Sequence, residues 1–200
     1  TATLLDDGTV LVTGGRDNSS TYLNSAEIYN STNNTWTSAG SFTGARNYHT
    51  ATKLSDGRVL VVGGVNGAAL NTTAIYTPGS GWSAGPNLNL ARTYHSANLL
   101  SNGRVLVVGG YGASSYLSSG EIYNPTTNAW TLLSSNLLEG RGYHNGISLS
   151  DGRVLLINGW NLHAINNVDV FSIFTPITLA ISGGTAPYTT EINGSAAAFT

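Results

Sequence analysis

Apolar and polar positions recur in a fixed order along this chain. Four segments align: TATLLDDGTVLVTGG (1–15), HTATKLSDGRVLVVGG (49–64), HSANLLSNGRVLVVGG (95–110) and HNGISLSDGRVLLING (144–159). Their closing glycines, Gly15, Gly64, Gly110 and Gly159, recur at intervals of 49, 46 and 49 residues. Each segment opens with alternating residues, the period of a half-buried strand. The dipeptides Asp7-Gly8, Asp56-Gly57, Asn102-Gly103 and Asp151-Gly152 follow. Such pairs accept positive φ at both central positions, so a two-residue type I′ hairpin turn is expected. Next comes an apolar, largely β-branched run such as RVLVV, the composition of a strand buried on both faces. The glycine pair ends that strand, where the backbone must turn with positive φ or pack closely.

A second set of segments follows each glycine pair: AEIYNSTNNTW (26–36), AIYTPGSGW (74–82) and GEIYNPTTNAW (120–130). Each reads as a third strand, a turn rich in Asn, Pro and Thr, and a fourth strand starting at Trp36, Trp82 or Trp130. A Trp at this fixed place is expected to pack between successive units. Four-stranded meanders repeated at this interval are the pattern of propeller blades.

On these residues the sequence resembles the Kelch-repeat family, whose signature is a glycine pair followed by a Tyr and then a Trp. Here those are Gly14-Gly15/Tyr29/Trp36, Gly63-Gly64/Tyr76/Trp82 and Gly109-Gly110/Tyr123/Trp130. The resemblance implies an all-β fold, a β-propeller of four-stranded antiparallel blades. About four blades are visible, over residues 1–43, 44–89, 90–138 and 139–172, as part of a six- or seven-bladed propeller. The fourth unit departs from the pattern: Asn158-Gly159 replaces the glycine pair and the Trp is missing. Residues 173–200 are expected to supply an outer strand, the start of an immunoglobulin-like β domain, or both. Their segment ISGGTAPYT resembles bacterial immunoglobulin-like surface repeats.

Composition narrows the functions. Charged residues are 9% of the chain, against roughly 25% in ordinary soluble domains. The 8 Lys and Arg are scattered, so there is no basic face for nucleic acid. No apolar run is long enough to cross a membrane as a helix. The chain has no Cys, which excludes disulfides, thiolate metal sites and cysteine nucleophiles. No G-x-S-x-G elbow and no phosphate-binding loop occurs.

The candidate chemistry lies in three Tyr-His pairs, Tyr48-His49, Tyr94-His95 and Tyr143-His144. The segment around Tyr94 and His95 also resembles the galactose-oxidase-type copper-radical enzymes, which take copper ligands from such a pair. That resemblance would make Tyr94, His95, His49 and His144 copper candidates. Two features oppose it: the pair recurs with the repeat, and the Cys those enzymes join to a Tyr is absent. A histidine at the start of each inner strand is expected instead to bond neighbouring backbone. Arg46, Arg92 and Arg141 precede these pairs, and pairing with third-strand Glu27 and Glu121 is plausible, although Ala74 replaces the Glu in unit two. Arg58, Arg104 and Arg153 follow the hairpin turns and keep them solvated.

The segments after the second strands (16–25, 65–71, 111–119 and 160–167) vary while the frame repeats. Variable loops on a rigid frame are where binding is expected, which points to Tyr22, Tyr111, Tyr116 and Trp160. The expected function is therefore non-catalytic: a binding or scaffold propeller of an extracellular or cell-surface protein, acting in adhesion or assembly. It needs no cofactor. Its partner would be a protein or carbohydrate, with self-assembly as a further option. The alternatives are the propeller portion of a copper enzyme and a structural subunit of a surface layer or filament.

Overall fold

The computed structural model describes residues 1–172 and the backbone of strands at 188–192 and 195–199. Blade one contains β1 (Ala2–Leu4), β2 (Val10–Arg16), β3 (Tyr22–Asn30) and β4 (Thr35–Ser41), hydrogen-bonded in that order. Blade two contains β5 (Thr50–Lys53), β6 (Val59–Val62), β9 (Thr73–Thr77) and β10 (Gly81–Ala84), with a small hairpin of β7 (Val65–Asn66) and β8 (Ala68–Ala69) between β6 and β9. Blade three contains β11 (Ser96–Leu99), β12 (Val105–Val108), β13 (Ser119–Asn124) and β14 (Ala129–Asn136). Blade four shows three strands, β15 (Asn145–Ser148), β16 (Arg153–Ile157) and β17 (Val168–Ser172). All pairings are antiparallel. The innermost strands β1, β5, β11 and β15 neighbour one another in turn, so the blades fan about one axis. A separate hairpin joins β18 (Tyr188–Ile192) to β19 (Ser195–Phe199). The rest of 173–200, where an outer strand or a new domain was expected, lies outside the described residues.

The core lies between blades. Leu5, Leu11 and Ala26 of the first meet Val59 and Tyr76 of the second. Leu60, Val62 and Ile75 of the second meet Val105, Val107 and Tyr123 of the third. Leu106, Val108 and Ile122 of the third meet Val154, Leu156 and Phe171 of the fourth. Strands β6 and β12 are buried at every position because a blade covers each face. In β2 and β16 burial alternates instead, since each has one described neighbour.

The Tyr and Trp of the repeat form a cross-strand pair, with ring centroids 4.9, 5.1 and 5.3 Å apart in blades one, two and three. The Trp of blades two and three then reaches the preceding blade: Trp82 Nε1 donates to Ala39 O (2.9 Å) and Trp130 Nε1 to Pro86 O (3.0 Å). Packing between units is thus the job of this Trp, as its fixed place suggested. The fourth strands begin one residue before it.

Blade one corrects the signature at Tyr29 and Trp36. Its repeat equivalents Tyr76 and Tyr123 are buried in a seam, whereas Tyr29 is only half-buried and Trp36 is exposed. The residue type is the same; the neighbour differs. Tyr76 and Tyr123 pack on the blade before their own, and among the described residues no blade precedes blade one. Tyr29 keeps the local part of the signature alone. Its hydroxyl donates to Asn34 Oδ1 (3.2 Å), as that of Tyr123 does to Asn128 Oδ1 (2.8 Å).

The glycine pair is explained by the seams. A Cβ on Gly63 would collide with Arg92 O. One on Gly14 would stand 2.8 Å from Arg46 O, and one on Gly109 2.6 Å from Arg141 O, all in the next blade. A Cβ on Gly64 would meet Asn47 O at 2.6 Å within its own blade. Each of these glycines also has φ between 55° and 97°. The second glycine of each pair donates its N–H across the seam: Gly15, Gly64 and Gly110 bond the carbonyls of Arg46, Arg92 and Arg141 at 2.7–2.9 Å.

The hairpin turns differ from the type I′ expectation. Gly8, Gly57, Gly103 and Gly152 have positive φ, but the preceding Asp and Asn do not. Leu54 N donates to Arg58 O and Gly57 N to Leu54 O, which closes a three-residue loop with glycine in the left-handed position. The Asp side chain decides this. Oδ1 of Asp7, Asp56 and Asp151 accepts the N–H two residues on. Arg58 and Arg153 add ion pairs to their own turn aspartates.

Candidate functional site, a tyrosine surface at the blade rim

In an antiparallel meander the loops alternate between two rims. The Asp-Gly turns share one rim with the Asn-rich turns. The segments holding the Tyr-His pairs share the other rim with the variable loops. Asn47, Thr93 and Gly142 each form a β-bridge to the first residue of a variable loop, Val65, Tyr111 and Trp160 respectively. One residue later the chain must turn inward to begin the inner strand. Tyr48, Tyr94 and Tyr143 make that reversal with φ of 50°, 57° and 58°. For a bulky side chain this is a strained conformation, costing about 1–3 kcal/mol each.

The reversal sends Tyr and His to different places. The three tyrosines stack along the rim, with ring centroids 4.4 Å apart from Tyr48 to Tyr94 and 4.1 Å from Tyr94 to Tyr143. Tyr143 N donates to Tyr94 O (2.9 Å), so backbone ties the stack together. Tyr48 and Tyr143 are 55% and 56% exposed, while Tyr94 is half-buried between them. Burial, then the Tyr143 hydroxyl beside it, pushes the Tyr94 phenol above its ordinary pKa, so it stays a hydrogen-bond donor.

The histidines are buried instead. His49 Nε2 meets Thr13 Oγ1 (3.1 Å) and Thr1 Oγ1 (3.1 Å), His95 Nε2 meets Thr50 Oγ1 (3.0 Å), and His144 Nε2 meets Ser96 Oγ (2.9 Å). Each partner is a hydroxyl of the preceding blade, where backbone was expected. Burial holds the pKa of His49 down to about 3 and of His144 to about 4, and pushes that of His95 well below the usual value. The Tyr94 and His95 rings therefore do not converge, and neither do their counterparts. No group of three or more His, Asp or Glu able to hold a metal ion occurs among the described residues.

The arginines form a third layer, fully buried. Arg92 pairs with Glu121 at 3.0 Å, and Arg141 with Asp169. Asp169 occupies the register position of Glu121, opposite the second strand. Aligning VDVF with GEIY would have revealed it; spacing from the turns did not. Glu27 is exposed at the matching place in blade one. In blade two Ala74 stands there, and Phe42 packs against it. The Arg46 guanidinium lies 5.5 Å from the Phe42 ring centroid and donates to Thr43 O, Gly44 O, Gly63 O and Thr72 O. A cation–π contact and carbonyls thus replace the carboxylate.

Of the four loop aromatics, Tyr111 and Tyr116 pack edge-to-face at 5.1 Å. Tyr116 lies beside the rim stack: a Cβ on Gly142 would lie 3.1 Å from its ring and 3.4 Å from Tyr94 Cβ. Tyr22 begins β3 and lies under Arg16, its ring centroid 5.2 Å from the guanidinium carbon. Trp160 is 45% exposed at the fourth loop. Tyr48, Tyr94, Tyr143, Tyr116 and Tyr111 therefore form one surface. The sequence pattern had kept them apart, since it assigned the Tyr-His pairs to a metal question.

The Kelch motif, as a family description, matches residues 1–43 and 92–137. The chain carries Kelch repeats in these two segments. The matched segments coincide with blade one and with blade three from Arg92 onward. No curated protein matches the chain. Kelch repeats generally build propellers that bind proteins or act as scaffolds, and this Kelch chain shows the blade-to-blade seams such a scaffold requires. No helix among the described residues is long and apolar enough to cross a membrane.

Proposed function

We propose that this Kelch chain is a non-catalytic binding unit of an extracellular or cell-surface protein, and that it engages a protein ligand through its tyrosine rim. The observation that carries this reading is the Tyr48–Tyr94–Tyr143 stack, exposed at both ends and continuous with Tyr116 and Tyr111. Tyrosine offers a large contact area at little entropic cost, which suits binding surfaces. Strain retained at the same position in three blades also suits a functional surface. The buried histidines and the Arg92 and Arg141 ion pairs serve the seams, which favours binding over catalysis. The low charge and the Ser-, Thr- and Asn-rich faces support the extracellular setting and an adhesive role.

The test is selection of a displayed random-peptide library on the immobilised protein. Tyr48→Asn/Tyr143→Asn removes two rings yet tolerates positive φ. Arg58→Ser alters the opposite rim. Enriched peptides should lose binding to the tyrosine variant and keep it to Arg58→Ser. Enrichment indifferent to the tyrosines would refute the reading.

A further inference from the structure

A cavity of about 460 Å³ opens beside the tyrosine stack, between the β7–β8 hairpin of blade two and the loop of blade three. Tyr94 and Tyr111 both line it. Glycine and alanine at 67–69, 91, 112 and 113 supply most of the remaining wall. We infer that this slot between Tyr94 and Tyr111 is a proline-ring subsite, and that the ligand is an uncharged, proline-rich segment in the polyproline II conformation lying along the tyrosine stack. The inference rests on the tyrosine rim being the binding surface.

Three observations select this ligand. No carboxylate, guanidinium or ammonium group lines the slot, so it offers no partner for a charged side chain. Its side-chain hydroxyls are those of Thr93 and the two tyrosines, and Thr93 Oγ1 already contacts Tyr48 O. A hexose would leave most of its own hydroxyls unpaired on such a wall, and each one buried without a partner opposes binding. A pyrrolidine ring has no hydroxyl to satisfy. Finally, the stacked rings of Tyr48, Tyr94 and Tyr143 extend from the slot as an aromatic strip, the kind of surface on which a polyproline II helix docks. Aromatic-lined grooves bind such helices because the ligand is ordered beforehand, and exposed phenols can donate to its unpaired carbonyls.

Calorimetric titration with three probes tests the proposal: a neutral twelve-residue peptide with proline at two of every three positions, the same peptide with alanine for proline, and a neutral hexasaccharide. The expected result is micromolar binding of the proline peptide alone. Tyr111→Ala should weaken it at least tenfold. Ala69→Glu, which places a charge in the wall, should abolish it. Absence of binding up to millimolar peptide would overturn the proposal, as would equal binding of the alanine peptide or indifference to both variants. Saturable hexasaccharide binding that Tyr111→Ala removes would replace it with a glycan site. Should library selection yield proline-free peptides that still need Tyr48 and Tyr143, the rim remains the binding surface and only the proline subsite falls.

Discussion

Replacing Glu121 by Ala should be among the most damaging single changes in blade three. Glu121 and Arg92 are both fully buried. The carboxylate accepts four hydrogen bonds: Asn89 N and Asn89 Nδ2 at 2.8 Å, and Leu90 N and Arg92 Nη2 at 3.0 Å. Its removal leaves a buried guanidinium with only neutral partners, Gly109 O, Ser119 O and Ser119 Oγ, and leaves two backbone donors without this acceptor. Breaking a buried pair in this way costs about 3–5 kcal/mol. For a chain of this size that corresponds to roughly 10 °C in Tm. Blade two contains the remedy, because Arg46 keeps its place over Phe42 with Ala74 where the carboxylate would be. Leu88 stands four residues before Arg92 as Phe42 stands four before Arg46, so Glu121→Ala/Leu88→Phe should recover about 2 kcal/mol, the worth of a desolvated cation–π contact. Urea titration of wild type, both single variants and the double variant gives the coupling energy. A Glu121→Ala cost below about 1 kcal/mol, or no coupling to Leu88→Phe, would refute both the burial ledger and the equivalence of the two blades.

Three further outcomes follow from the seams. Acid should weaken the fold early. The folded pKa values of His49, His95 and His144 are depressed, so stability present above pH 6.5 is lost as pH falls toward about 4, at about 1.4 kcal/mol per pH unit for each histidine. A urea midpoint unchanged from pH 7 to pH 5 would contradict this. Gly63→Ala should cost more than about 2 kcal/mol, because its Cβ would collide with Arg92 O. Gly8→Ala should cost only about 1 kcal/mol, because only its positive φ objects, and thermal melts of the two separate clash from strain. Trp130→Phe should lose about 1 kcal/mol with its bond to Pro86 O, whereas Trp36→Phe should change little, since Trp36 is 54% exposed; denaturant midpoints compare them.

The repeat was legible because each blade solves the same local problem with the same residues. Alternation marked the inner strand, RVLVV the strand covered on both sides, and the glycine pair the close seam. The turn type was misread because Asp-Gly specifies glycine's φ but not that of the Asp, whose carboxylate captures the N–H two residues on. Tyr29 carries the same signature as Tyr76 and Tyr123, yet its burial depends on a neighbouring blade that its own repeat does not encode. Asp169 was missed as the counterpart of Glu121 because one methylene fewer and a changed neighbourhood hide it from spacing alone.

By itself, the sequence determined the all-β meander, the place of each strand, and the absence of thiol chemistry, since these depend on residue type and period. Only the tertiary structure decided what the Tyr-His pairs do. A single left-handed residue turns each tyrosine to the rim and buries each histidine in the seam. Adjacent residues thereby reach different blades and different surroundings, and no local pattern encodes a contact made across a seam.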